Sequence, residues 1–225
     1  MRKLSDFKLT FLDKERLFIR EGTYDKEIAK EVPREYKYLE MENKRVMDIG
    51  CCFGAFSRYA LDSGALSVIA FEPDPINSEL IIKNLGDELD FELIEKAVVG
   101  NDAPDTLCFQ CSASSNMGIG TLRKTRGRDE ITVNTTNFFD MLNRYKPQVL
   151  KIDCEGGEYG FMFDDELPDF VEQIIFEIHL NCDTWRTVEG PKLISIFQDN
   201  FEWDEIKTPK ITEKNWHTLG CWKRN

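Results

Sequence analysis

Three acids fall within six residues in Asp153-Cys154-Glu155-Gly156-Gly157-Glu158, directly after the apolar run Val149 to Ile152. Carboxylates crowded in this way raise one another's pKa, which suits one of them to take a proton, and together they can hold a divalent cation. Asp153 and Glu155 are therefore candidate catalytic groups. Asp153, Glu155 and Glu158 are the candidate ligands if a divalent metal such as Mg²⁺ is used. His179, one of only two histidines, follows another apolar run, Ile174 to Ile178. Its neutral imidazole is a second candidate base, although Glu177 beside it offers the plainer alternative of a histidine satisfied by neighbouring acids. His217, between Trp216 and Trp222, reads as structural.

A second constellation could bind a cofactor. Met47-Asp48-Ile49-Gly50-Cys51-Cys52-Phe53-Gly54 carries glycines at two positions where backbone could turn sharply and approach a ligand without Cβ obstruction. Phe71-Glu72-Pro73 places a carboxylate 24 residues after Asp48, the spacing of one βαβ unit, where it can accept both hydroxyls of a ribose. The rival ligand is NAD, but G-x-G-x-x-G is absent: Cys52 stands at the middle glycine position and Ala55 at the last. A pyrophosphate needs close backbone approach there. S-adenosylmethionine has no phosphate, and the looser G-x-x-x-G loop suits it better. The polar stretch Ser112 to Gly118 could line an acceptor pocket or form a hairpin loop.

These residues need elements to hold them. Strand-like runs at Arg45 to Ile49, Ser67 to Phe71, Phe91 to Val99, Val149 to Ile152 and Ile174 to Ile178 alternate with helical patterns. Helices are expected over Ala55 to Ser63, Pro75 to Leu85, from Thr135-Thr136 onward, near Tyr159 to Asp165, and over Pro191 to Gln198. Residues 105 to 134 interrupt the alternation with two strands, Thr106 to Gln110 and Glu130 to Asn134. The tail offers Glu202 to Ile206 and Trp216 to Trp222 as a closing pair. The expectation is an α/β fold, Rossmann-like, with a mostly parallel doubly wound sheet and an antiparallel edge strand. Both chemical constellations then fall at the C-terminal ends of strands, where ligands bind in such sheets.

Composition narrows the partners. With 41 acidic and 29 basic residues the net charge is −12, which disfavours nucleic acid, because that binding draws on Lys and Arg displacing counterions. The basic stretch Arg123 to Arg128 reads as a solvated loop, with a phosphate contact as the alternative. No run of about 18 apolar residues appears, and the first residues show no apolar signal core, so the expected setting is the cytoplasm without a membrane span. Seven cysteines, an odd number, then read as free thiols. Cys108-x-x-Cys111 with His179-x-x-Cys182 has zinc-ligand spacing, but Cys108 and Cys111 would face opposite sides of a strand.

The segment Lys151-Ile152-Asp153-Cys154-Glu155-Gly156-Gly157-Glu158 resembles the signature of FkbM-type methyltransferases. The resemblance extends to Gly22-Thr23-Tyr24-Asp25, Asp48 to Gly54, Phe71-Glu72-Pro73, Lys96-Ala97-Val98 and Phe176-Glu177-Ile178-His179, almost the whole chain. The glycine loop is generic; the lysine-to-glutamate segment is the specific part. The resemblance implies a class I methyltransferase fold and S-adenosylmethionine-dependent O-methylation of a sugar, glycan or other small hydroxylated molecule. It implies that Tyr24, Asp48, Gly50, Cys51, Phe53, Gly54, Glu72, Pro73 and Ala97 surround the cofactor, with Asp153 and Glu155 near the transferred methyl. Cys51-Cys52 stands where the family usually has Ala-Asn, so an asparagine's hydrogen bonds are lost, and Gly157 replaces a common alanine. Residues 1–45 are expected as an N-terminal extension packed on a methyltransferase domain of residues 46–225. The alternatives are RNA ribose 2'-O-methylation, a non-catalytic S-adenosylmethionine-binding module and, more distantly, an NAD oxidoreductase.

Overall fold

The computed structural model describes residues 3–111, 129–180, 183–200 and 202–225. The chain opens with β1 (Leu9–Leu12), β2 (Leu17–Arg20) and α1 (Asp25–Glu35). It continues through β3 (Arg45–Ile49), α2 (Ala55–Asp62), β4 (Ser67–Phe71), α3 (Pro75–Leu85), β5 (Phe91–Ile94) and β6 (Ala97–Val99). Next come β7 (Thr106–Cys111), β8 (Asp129–Asn137), α4 (Phe138–Tyr145) and β9 (Val149–Ile152). The last elements are β10 (Gln173–His179), α5 (Gly190–Gln198), β11 (Trp203–Lys207) and β12 (His217–Arg224).

Seven strands form the main sheet in the order β11-β12-β10-β9-β3-β4-β5. From β10 to β5 all neighbours run parallel, while β12 lies antiparallel between β10 and β11. The expected α/β class and antiparallel edge are both present. The chain enters at β3, moves outward to β5, then returns to β9 on the other side. That reversal beside β3 is the switch point where an open α/β sheet offers a crevice.

The parallel strands are apolar because both faces are covered. Met47, Ile49, Leu150, Ile152, Ile174 and Phe176 point into one core, where Phe176 and Phe197 pack on Trp222. Val46, Val149 and Ile175 alternate into the other, which includes Leu17 and Ile19 of β2 and Ala29, Val32 and Tyr36 on or just after α1. The buried Arg20 guanidinium makes two hydrogen bonds to Asp25 (2.8 and 2.9 Å) and one to Asn77 of α3 (2.7 Å), fixing the first helix to the body.

Three expectations need correction. Phe91 to Val99 is not one strand: the chain turns at Lys96, whose N–H donates to Ile94 O (2.8 Å), and β6 pairs with β8 in a separate sheet of order β6-β8-β7. The helix that Thr135-Thr136 signal ahead of Phe138 is present as α4, but the threonines lie in β8, pairing with Ala97 and Val98, and Asn137 caps α4 by accepting from Asp140 N (2.9 Å). β-branched threonines favour the pleated partner over the helix. The helix expected near Tyr159 shrinks to a 3-10 turn at Gly157–Gly160, entered through Gly156 at φ +97°. Among the described residues no helix is long and apolar enough to cross a membrane.

Candidate active site

The loop leaving β3 is built around strand ends. The N–H groups of Gly50 and Cys51 donate to Phe71 O (3.0 and 3.2 Å). Gly50 adopts φ +78°, and a Cβ there would run into the carbonyl oxygen of Asp153. At Gly54, φ +87°, a Cβ would lie 2.8 Å from Leu85 Cδ1. Gly50 is thus required by close packing against backbone, and Gly54 by its positive φ. Cys52 takes φ +54° between them, and its N–H donates to Glu72 Oε2 (2.9 Å).

Glu72 ends β4 with its side chain nearly buried, and its other oxygen accepts from Asp74 N (2.9 Å). Burial, with the charge of Asp74 adding to it, pushes this carboxyl up to about 8 against the pull of those N–H donors. A cavity of about 270 Å³ opens beside it. Gly50, Cys51, Phe53, Pro73 and Ala97 line it with Glu72. Lys151, Asp153, Glu155, Glu177 and His217 line it as well, and α1 adds Ile28, Glu31, Val32 and Glu35.

Beneath the loop, Asp48 is fully buried. It accepts from Ser57 Oγ (2.7 Å) and pairs with Lys151 Nζ (3.1 Å), which also donates to Gly50 O (2.8 Å). Burial works against the Lys151 ammonium, but Asp48 and Asp153 (3.7 Å) hold its pKa well above the usual lysine range. Lys151 therefore ties the two loops together as a permanent cation.

Glu158 does not face the cavity. Its carboxylate is fully buried and accepts from the backbone N–H groups of Gly156 (2.9 Å) and His179 (3.0 Å). It also meets His179 Nδ1 at 3.0 Å. Burial would raise its pKa, but the His179 contacts carry it below the ordinary value. Burial alone would lower His179; the charge and hydrogen bond of Glu158, then Glu155 and Asp153, raise it instead to about 9. The ring is an imidazolium at neutral pH and already holds the proton a base would have to accept.

The structure thus regroups the expected residues. Gly50, Cys51, Phe53, Glu72, Pro73, Ala97, Asp153 and Glu155 share the cavity. Asp48 and Gly54 support it from behind, and Tyr24 stands 58% exposed at the start of α1, outside its lining. Of the three acids expected as metal ligands, Asp153 is in the group whose ligand atoms lie within 4.8 Å of one another, with Glu177 and His179, while Glu158 is taken by His179. His217, expected to be structural, lines the cavity and contacts Glu177 through Nδ1. The signal for it was the closing strand pair, since β12 sets His217 opposite His179. Cys108 is exposed and Cys111 buried, on opposite sides of β7 as alternation requires. Cys182, Ser112 to Gly118 and Arg123 to Arg128 lie outside the described residues.

Comparison with known proteins decides the family. The sequence matches the methyltransferase FkbM domain over residues 48–202 of its 225. The chain belongs to the FkbM methyltransferase family. No curated protein matches it in sequence. Among solved structures it is similar to yhhF from Escherichia coli, assigned as a methyltransferase, at 12% identity and TM-score 0.50, covering 97% of this chain and 99% of that one. It is also similar to a Pyrococcus horikoshii protein assigned as an RNA methyltransferase (16% identity, TM-score 0.47, 98% and 94% covered). A third is precorrin-6y C5,15-methyltransferase from Geobacter metallireducens (14%, 0.46, 96% and 98%). The yhhF likeness identifies the class I methyltransferase fold.

The methyl donor of such a family is S-adenosylmethionine, and the residues of this FkbM-family chain fit it. Glu72 accepts from the Cys52 and Asp74 N–H groups and lies beside the Asn77 side chain, which leaves lone-pair capacity among its four sites for ribose hydroxyls. Ile49, Phe71, Val98 and Phe109 give the cavity apolar lining for a purine.

Proposed function

We propose that this methyltransferase moves a methyl group from S-adenosylmethionine to a hydroxyl oxygen of a sugar, glycan or other small hydroxylated acceptor. The observation that carries the reading is one continuous cavity whose lining includes both Glu72 with the Gly50 loop and Asp153, Glu155, Glu177 and His217. When bound, the cofactor supplies a sulfonium methyl that is already electrophilic, so the protein's task is alignment and proton removal. Glu72 and the loop from Gly50 to Phe53 hold the cofactor end, with Pro73 and Ala97 closing it. Asp153, on the cavity wall and oriented by Lys151, takes the hydroxyl proton. In the metal-free protein His179 already holds its proton and so is not the base. The net charge of −12 and the acids lining the cavity favour a small acceptor over a phosphate backbone.

Residues 1–45 form, on this reading, an extension that supplies a wall of the acceptor end to the domain of residues 46–225. The proposed setting is the cytoplasm, where cysteine thiols stay reduced.

The test is to supply S-adenosylmethionine with a panel of hydroxylated acceptors and identify the product by mass spectrometry and NMR. A methyl ether, lost at least a hundredfold in kcat with folded Asp153→Asn, is the expected result. Methylation at nitrogen or carbon, or a wild-type rate in Asp153→Asn, would sink the proposal.

A further inference from the structure

The His179 side chain is buried, and Glu158 grips its Nδ1 at 3.0 Å. That leaves Nε2 aimed the other way, toward the acids of the cavity. It reaches Glu155 Oε2 and Glu177 Oε1 only at 3.7 and 3.8 Å, beyond hydrogen-bond range. Ligand atoms of Asp153, Glu177 and His179 come together within 4.8 Å, yet these groups converge on a common point without closing on one another. A carboxylate that fixes one ring nitrogen while the other faces ligands is the arrangement that orients a metal-binding histidine.

We propose that Asp153, Glu177 and His179 bind one divalent first-row metal ion, with Mn²⁺ as its representative, at the acceptor end of the cavity. In an octahedral site with bonds of roughly 2.1 Å, neighbouring ligand atoms stand about 3 Å apart and opposite ones about 4.2 Å. The observed separations need close by only a fraction of an ångström per side chain. One imidazole and two carboxylates suit Mn²⁺ better than Mg²⁺, which prefers oxygen alone and keeps its waters. Lys151, the nearest fixed cation, lies 3.7 Å from Asp153 and is committed to Asp48 and Gly50. His217 Nδ1 contacts the same Glu177 oxygen, Oε1, that faces His179 Nε2, so Glu177 binds the ion through Oε2 or by releasing His217. Three protein ligands leave open positions facing the cavity, where two adjacent oxygens of an acceptor could bind. The ion's purpose rests on the reading above; its binding does not.

The experiment is titration of chelator-treated protein with Mn²⁺, followed by loss of the free-ion EPR signal and by calorimetry, with circular dichroism to check folding. One ion per chain is expected, with Mg²⁺ binding at least tenfold more weakly. Glu177→Gln and Asp153→Asn should each weaken Mn²⁺ at least tenfold, whereas Glu166→Gln, an exposed acid elsewhere, should not. His179→Asn is the decisive variant, because its amide can still donate to Glu158 but offers no atom at the Nε2 position; it too should lose the ion. Absence of stoichiometric binding, or equal effects of Glu177→Gln and Glu166→Gln, would overturn the site. S-adenosylhomocysteine titrated in parallel reads the cofactor end separately, so failure of one reading is not mistaken for failure of the other.

Discussion

The protonation of Glu72 gives the sharpest test of the cofactor end. Its carboxyl is pushed up to about 8, from an ordinary 4.5, by burial beside Asp74. If ribose hydroxyls donate to it, the ionised form is the one that binds. At pH 6 about one molecule in a hundred carries that form, and at pH 8.5 about three in four. Affinity for S-adenosylhomocysteine should therefore rise about 75-fold over that interval, roughly 2.5 kcal/mol. Calorimetric titration between pH 6 and 8.5 measures it directly. In Glu72→Gln the amide must turn an N–H toward the Cys52 or Asp74 backbone N–H, so binding weakens, but the pH slope should vanish. A flat profile in the wild type, or the same slope in Glu72→Gln, would refute the argument. The ligand-free protein should show the linked effect. A carboxyl with a raised folded pKa stabilises the fold at low pH, and that contribution fades as pH rises from about 4.5 through about 8.

Other sites give independent outcomes. Gly50→Ala and Gly22→Ala both place a side chain at positive φ, but only Gly50 has a neighbour in the way. Urea unfolding should show a loss of about 1–2 kcal/mol for Gly22→Ala and a larger loss, or failure to fold, for Gly50→Ala. Asp25→Asn leaves the buried Arg20 charge without its partner and should cost about 3–5 kcal/mol in the same assay. In metal-free protein, the His179 ring should titrate by NMR near 9 and fall in Glu158→Gln. The stability it contributes is complete below about 6.5 and is lost as pH rises through about 9, a dependence the variant should lack. With an acceptor offering two adjacent oxygens, EDTA should suppress turnover and Mn²⁺ restore it.

The sequence by itself determined the sheet. Runs such as Val149 to Ile152 and Ile174 to Ile178 are apolar at every position, which only a strand covered on both faces can use, and the edge pair followed from the closing segments. It also set Glu72 and Asp153 at strand ends, where the structure finds the cavity, because a strand end fixes where the next side chain emerges. The tertiary structure alone decided what the remaining acids and histidines do. Glu158 and His179 stand 21 residues apart, and nothing local says that one will take up the other's Nδ1 rather than face a ligand. His217 reached the cavity through an antiparallel pairing with residues far away in the chain, and α1 supplied a wall through packing on α2 and β2. Tyr24 and Asp48 fell outside the lining for the same reason. Spacing governs backbone conformation and the face a residue occupies, whereas burial, charge state and access to a ligand are set by neighbours brought together only when the chain closes.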